Sequence, residues 1–298
     1  MIAQLFFSGV ALGAMYALVA LGYNITYATS QTVNFSQGQS VMVGAVVAYA
    51  LHVGLGWPFW AALPVTLLAL ALLGVIVERV AVRPFLRARS IAWLLATIAV
   101  GIIGENVAML LFGKDARAFP SSLAIVPWTI LGAGVYPHEL LVPLVGLALM
   151  AAVELAFRKT LAGKALRAVS FSHDAAGLMG IDVNRTITAA YALSSVLAGV
   201  AGILLAPLLN VSATMGTTIG LKAFAVAIIG GIESPRGIVV AGLLRAAHVE
   251  GDGGHEARGR LVLDEQVADL GTVPVGEDRL IAPATSIPPC AWRSVTPT

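Results

Sequence analysis

From Met1 to Val77 the chain carries no Asp, Glu, Lys or Arg, and the first formal charge is Glu78. A water-facing surface needs charge to stay dispersed, whereas a charge at the centre of a bilayer costs several kcal/mol. The chain therefore begins inside a membrane. A spanning helix needs about 20 predominantly apolar residues, and the apolar runs predict segments over Leu5–Tyr27, Ser36–His52, Pro58–Val77, Ile91–Phe112, Leu140–Phe157, Ile187–Leu209 and Ile219–Ile232. The second and last are short for a crossing. Their flanks, Asn34-Phe35-Ser36-Gln37-Gly38-Gln39 and Thr217-Thr218-Ile219-Gly220, are polar and bear glycine. Broken or re-entrant helices have that character, and such backbone is tolerated at membrane depth only where it faces protein or a wet cavity. An eighth apolar run opens at Gly237 and stops at Arg245. The expected fold is an all-α polytopic membrane protein of about seven to eight transmembrane or broken helices. Leu5–Tyr27 has no basic flank and is longer than the apolar stretch of a signal peptide, so it is expected to be retained.

Charge fixes the orientation. Arg79, Arg83, Arg87 and Arg89 fall in one loop; Arg158, Lys159, Lys164, Arg167 and Arg185 fall in another. Two spans separate them, so both lie on one side, and the positive-inside rule makes that side cytoplasmic. The intervening Gly113–Glu139, with prolines and mixed charge, is expected outside. Small residues at Gly9-xxx-Gly13, Gly13-xxx-Ala17 and Ala198-xxx-Gly202 let helix backbones approach and predict a compact bundle.

Composition adds exclusions. Hydrophobic residues make up 58% of the 298 and charged residues 11%, with a mean hydropathy of +0.88; a soluble domain is about a quarter charged. The net charge of +2 comes without any dense Lys/Arg stripe, so no nucleic-acid partner is expected. Cys290 stands alone, which excludes an intrachain disulfide framework. No metal-ligand cluster, phosphate-binding G-x-x-x-x-G-K-[ST] loop, H-E-x-x-H or G-x-S-x-G is present, so neither catalytic residues nor a bound cofactor are expected.

The second basic loop, 159–185, is long and patterned. Between Lys164 and Phe171, helical spacing sets Leu166, Val169 and Phe171 toward one side and Lys164 and Arg167 toward the other. Asp174 is placed to cap a short helix that ends with Gly180 at its C′ position. A short helix rich in Ala and Gly offers a smooth knob for a cleft in another protein. A basic interfacial helix resting on anionic lipid has the same pattern.

The stretch Gly163, Arg167-Ala168-Val169, Asp174, Ala175-Ala176, Gly180-Ile181-Asp182-Val183 resembles the cytoplasmic coupling segment of the branched-chain amino-acid permease family of ABC transporters. Gly177 stands where that family usually has a further Ala. Gly22-Tyr23-Asn24-Ile25-Thr26-Tyr27, Val33-Asn34-Phe35-Ser36-Gln37-Gly38, Glu78-Arg79-Val80-Ala81-Val82-Arg83-Pro84 and Lys222-Ala223-Phe224 with Gly230-Gly231-Ile232 follow in the family's order across residues 1–244. The resemblance implies an inner-membrane permease subunit. It implies two ATPase subunits docked on the coupling segment, with ATP hydrolysed there and not by this chain. It also implies a second permease or another copy of this one, and a periplasmic binding protein that delivers substrate. Branched-chain amino acids are the implied substrates; urea and short amides share nearly the same permease pattern. A secondary transporter with broken helices is the reading from another class, but only Glu105 and Lys222 offer intramembrane charge for ion coupling.

Candidates for the translocation path are Asn34, Phe35, Gln37 and Gln39, whose polar groups need partners at membrane depth, and Glu105, the acidic residue well inside a span. For the amides, capping and pore shaping are favoured over substrate binding. For Glu105, pairing with Lys114 or Arg117 near the outer end, or packing with Asn106, is the expectation. Glu154 is expected to pair with Arg158 one turn on, His52 to sit at a helix end, and Trp57 and Trp60 to belong to an aromatic belt.

Residues 245–298 break the pattern. They hold eight acidic and five basic residues, net −3, against net +5 for residues 1–244, with no helical or strand period and no run long enough to span. A partly disordered extension accounts for the composition. A reading-frame shift near codons 244–246 also accounts for a helix that opens at Gly237 and dies within about eight residues, leaving backbone unsatisfied in lipid; the shift is favoured.

Overall fold

The computed structural model describes residues 2–87, 90–120, 128–130 and 133–244. Arg89 and the tail 245–298 lie outside them. The chain runs through α1 (Ile2–Ser30), α2 (Gln37–Tyr49), a π-helical turn (Ala50–Gly54), α3 (Phe59–Val77), a second π-helical turn (Glu78–Val82), α4 (Arg83–Arg87) and α5 (Trp93–Phe112). Two short strands, β1 (Trp128–Ile130) and β2 (Ala133–Val135), pair antiparallel with Thr129 opposite Gly134. Then come α6 (Pro137–Lys159), α7 (Leu161–Phe171), α8 (His173–Leu178), α9 (Val183–Leu209) and α10 (Met215–Ile229), followed by α11 (Pro235–Leu244).

Among the described residues, five helical stretches are long and apolar enough to cross a membrane: Phe7–Ser30, Phe59–Leu86, Trp93–Phe112, Pro137–Lys159 and Val183–Leu209. With the shorter α2, α10 and α11 they make the expected all-α set of long and broken helices. α6 and α9 run longer than the apolar runs alone indicated, because the flanking polar residues Arg158-Lys159 and Asn184-Arg185 remain helical.

Two layers follow from which helices are apolar all round. α1 and α9 are sheathed by protein, with Ala14, Met15, Leu18 and Ala198, Ala201, Leu205 fully buried. α1 and α9 pack directly on each other, and α2 packs on α9, α10, α3 and α5. α3, α5 and α6 leave an apolar face uncovered, including Leu68, Ile102, Leu110 and Leu144; this is the side suited to lipid.

Close approach replaces large side chains at the centre. A Cβ on Gly44 would collide with the backbone of Gly199, and one on Gly202 with the carbonyl of Val41. The Ala198-xxx-Gly202 seam therefore joins α9 to α2. The Gly13-xxx-Ala17 seam receives α11, where a Cβ on Gly242 would meet Gly13 O and Ala17 Cβ.

The two basic loops share one end of the bundle, as span parity requires. Val77, Ala81 and Val82 from the first and Val169 and Ala176 from the second form one apolar cluster with Ile187 and Tyr191 of α9. At the opposite end, the chain after α5 and the chain after α9 exchange two backbone hydrogen bonds, Arg117 N to Val211 O at 2.9 Å and Val211 N to Arg117 O at 2.8 Å.

Candidate functional site

The polar residues before and within α2 separate into two groups. Asn34 and Gln37 are buried and hydrogen-bonded within the protein. Asn34 Oδ1 accepts from Ser36 N and Ser36 Oγ, at 3.1 and 2.7 Å, which turns the chain into α2. Gln37 Nε2 donates to the Ser194 carbonyl, and Ser194 Oγ lies 2.9 Å from the Gly22 carbonyl and 3.0 Å from Gln37 Oε1. This cluster ties α1, α2 and α9 together where α2 begins inside the protein. Capping was expected of Asn34; for Gln37 the structure substitutes a cross-helix tie.

Phe35 and Gln39 take a different direction. With Glu105 they line a cavity of about 350 Å³ between α2, α5 and α10. Its floor is glycine: Gly38 sits against Gly216 and Gly220 so closely that no Cβ fits between them. Phe35 and Tyr23 pack on Phe224 with ring centroids 5.2 and 5.5 Å apart. The helix break that leaves α10 short is what brings glycine backbone and Thr217 to the cavity.

Glu105 does not pair as expected. Arg117 bonds the Phe112 carbonyl and covers its ring, and Asn106 Nδ2 returns to Ile102 O on its own helix. Instead Thr217 Oγ1 donates to Glu105 Oε2 at 2.5 Å. Gln39 Nε2 lies 3.2 Å from Thr217 Oγ1 and 3.4 Å from the same carboxylate oxygen. The reason is rotational: Glu105 stands seven residues before the end of α5, about 10 Å at 1.5 Å per residue, beyond the reach of the outer-loop cations and on the face turned to α10. Thr217 went unrecognised in the sequence, although its polar flank of an apolar run was the available signal.

At the basic end, α7 and α8 form the second feature. Thr160 caps α7 by accepting from Gly163 N, and Ser172 caps α8 by accepting from Ala175 N. The cap was expected from Asp174, which lies inside the first turn of α8 and is exposed. Gly180 closes α8 at φ +82°, with Gly180 N bonded to Gly177 O and Ile181 N to Ala176 O; this six-to-one and five-to-two pattern requires the left-handed residue that glycine supplies. Leu166, Val169 and Ala176 anchor the pair inward, Gly163 fits tightly against the Phe157 backbone, and His173 Nε2 donates to the Thr29 carbonyl at 2.8 Å.

The opposite side is bare. Phe171, expected on the same side as Leu166 and Val169, is 93% exposed because α7 ends at it and Ser172 turns the chain; Leu178 is 90% and Met179 72% exposed. Arg167, Asp174, Ala175 and Gly180 are exposed around them, while Ala168 and Ile181 are half-buried. The predicted coupling residues therefore divide into a packed base and a free tip.

A buried ion pair holds this end together. Arg83 Nε and Nη2 donate to the two oxygens of Glu78 at 2.9 and 3.0 Å, and Arg83 Nη2 also reaches Thr188 Oγ1 of α9 at 2.7 Å. Glu154 and Arg158 pair at 2.6 Å as expected. His52 Nδ1 lies 2.8 Å from the Trp57 carbonyl, and Trp60 is largely exposed.

With that geometry in place, the comparisons with known proteins decide the family. The family described as branched-chain amino acid transport system, permease component, matches residues 5–249. The chain belongs to that family. It is 31% identical to the high-affinity branched-chain amino acid transport system permease protein LivH of Escherichia coli, over 81% of this chain and 82% of that one. It is 28% identical to the corresponding protein BraD of Pseudomonas aeruginosa over 88% of each. A protein of Methanocaldococcus jannaschii described as a probable branched-chain amino acid transport permease, LivH, is 31% identical over 77% of this chain and 74% of its own. Among solved structures, PsaBC from Streptococcus pneumoniae in complex with Fab has a TM-score of 0.45 at 15% identity, covering 82% of this chain and 78% of that one, a likeness too distant to add to the fold. The branched-chain permease chain is thus a multi-pass membrane protein of a transport family.

Proposed function

We propose that this chain is the membrane subunit of an ATP-driven importer of branched-chain amino acids in a bacterial inner membrane. In this reading it forms the translocation path and hydrolyses nothing itself. Two ATPase subunits dock on α7 and α8, a second permease subunit or a second copy completes the path, and a periplasmic binding protein delivers substrate. The observation that carries the reading is the free tip of α8. The α7–α8 pair, anchored by Val169 of α7 and Ala176 of the capped six-residue α8, presents Phe171, Leu178 and Met179 uncovered at the basic end. Lipid would receive such an apolar tip only if it lay in the membrane plane with its basic residues toward headgroups. Here the exposed Arg167 and Asp174 flank the tip with both signs of charge, which suits a protein cleft better than an anionic surface.

The test is affinity purification of the chain from membranes in which its genomic neighbours are co-expressed. An ATPase and a second permease are expected in the eluate. Arg167→Glu combined with Gly180→Leu is expected to abolish recovery of the ATPase while membrane insertion stays intact. Undiminished ATPase recovery with that double variant removes α7 and α8 as the docking surface.

A further inference from the structure

The cavity between α2, α5 and α10 holds an arrangement of donors and acceptors that does not balance. Gln39 is only 8% exposed, and its Oε1 is buried with no hydrogen-bond partner. A buried amide oxygen left unmatched is costly and calls for a donor. The three hydrogens available from this side chain and its neighbour are already committed: Gln39 Nε2 donates to Glu105 Oε2 and to Thr217 Oγ1, and Thr217 Oγ1 donates to Glu105 Oε2. Glu105 Oε1 accepts no bond among the described residues, and no Lys, Arg or His lies within ion-pair distance of this carboxylate among them. Two acceptor oxygens therefore remain on residues that line a cavity of about 350 Å³: the buried Gln39 Oε1, and Oε1 of the half-buried Glu105, whose carboxylate has no cationic partner among the described residues.

We infer that Glu105 and Gln39, set by Thr217, form a subsite that takes the primary ammonium group of a small solute. The inference rests on the importer reading for the identity of that solute. An ammonium has three donors and no acceptor, which is what two unmatched acceptors call for. A carboxylate or other anion meets only acceptors and a like charge here. A hard metal ion finds too few oxygens, since such ions take about six to eight. The rest of the wall suits an aliphatic remainder: Phe35, Ile98, Ile102 and Leu221 line the same space. Glu105 and Gln39 thus distinguish an amine-bearing solute from its des-amino carboxylate and from a neutral amide.

The first competing role for Glu105 is a tie between α5 and α10 through Thr217. Glu105→Gln keeps an acceptor for Thr217 and removes only the charge, so it separates the two roles. The whole complex purified through this chain, in the absence of the binding protein, is melted with 3-methylbutylammonium or with 4-methylpentanoate. The ammonium is expected to raise the melting temperature of the wild-type complex, with the shift lost in Glu105→Gln; the carboxylate is expected to shift neither. In proteoliposomes with the binding protein, leucine uptake by the Glu105→Gln complex is expected to fall about tenfold or more, the worth of one charge-assisted bond. No shift with the ammonium in the wild-type complex, or an equal shift in the variant, overturns the subsite. A shift that behaves as expected in a complex that imports no leucine upholds the subsite and refutes the importer reading for that substrate.

Discussion

Breaking the Glu78–Arg83 pair gives the sharpest energetic test of the fold. The Glu78 side chain is 2% exposed and that of Arg83 25%, and the two share a bidentate contact at 2.9 and 3.0 Å that also engages Thr188. At about 4 Å between charge centres and an effective dielectric near 20, the attraction is about 4 kcal/mol, and desolvation of the carboxylate opposes it. Arg83→Met leaves a buried carboxylate with Thr188 as its remaining partner, at a cost of about 3–5 kcal/mol. Glu78→Gln strands the guanidinium less severely, because Arg83 reaches the surface. The double change removes both charges and their desolvation, so it is expected to be less destabilising than Arg83→Met alone. Scaled by about 2–4 °C per kcal/mol for a chain of this size, Arg83→Met lowers the melting temperature by on the order of 10 °C. The assay is thermal unfolding of the detergent-purified protein, followed by size-exclusion chromatography with fluorescence detection. Losses that simply add across the two single variants refute the reasoning, because they show two charges that do not feel each other.

Other outcomes follow from particular contacts. Gly44→Leu drives a side chain into the Gly199 backbone and is expected to cost at least about 1–3 kcal/mol, read as lost folded yield, whereas Gly177→Ala, with open space around its Cβ, leaves stability unchanged. Ser172→Ala removes the cap of α8 and costs about 1 kcal/mol, visible as faster amide exchange over 173–179. Phe171→Ser or Leu178→Ser leaves the melting temperature of the isolated chain unaltered but reduces ATPase recovery, because neither side chain is packed. Reading the gene in the alternative frames past codon 245 is expected to give an apolar stretch; polar sequence in both frames refutes the frame-shift proposal.

The layout of long helices was legible because each apolar run needs a bilayer and each basic loop needs the same side, and neither requirement depends on tertiary detail. The seams at Ala198-xxx-Gly202 and Gly13-xxx-Ala17 were legible for a similar reason, since absent side chains announce close approach. What escaped was rotation. Whether Glu105 faces Lys114, Asn106 or Thr217 depends on how α5 is turned against α10, and an apolar helix with no marked polar stripe does not record that. Gln37 and Gln39 were grouped by sequence, yet they lie on different sides of α2, one on Ser194 and one on the cavity. Phe171 shares the helical period of Leu166 and Val169, but α7 stops at that residue and the period no longer binds it. Asp174 was the expected cap, but the cap falls two residues earlier, because the extended backbone at Ser172 (φ −159°) lets its side chain accept from Ala175 N.

The burial of α2 also sets an order of events. Its polar head depends on Ser194 and Thr217, which lie 157 and 178 positions away from Gln37 and Gln39 in the chain. Translation at about 5–20 residues per second separates α2 from α9 by on the order of 8–30 s. For that interval the nascent chain holds amide groups in or beside the bilayer without the partners they have in the finished protein. Closing so long a loop adds little thermodynamic cost, since the entropy grows only with the logarithm of length. The exposure is temporal: an insertion machinery or chaperone must shelter α2 until α9 and α10 arrive, and membrane proteases have the same interval in which to reject it.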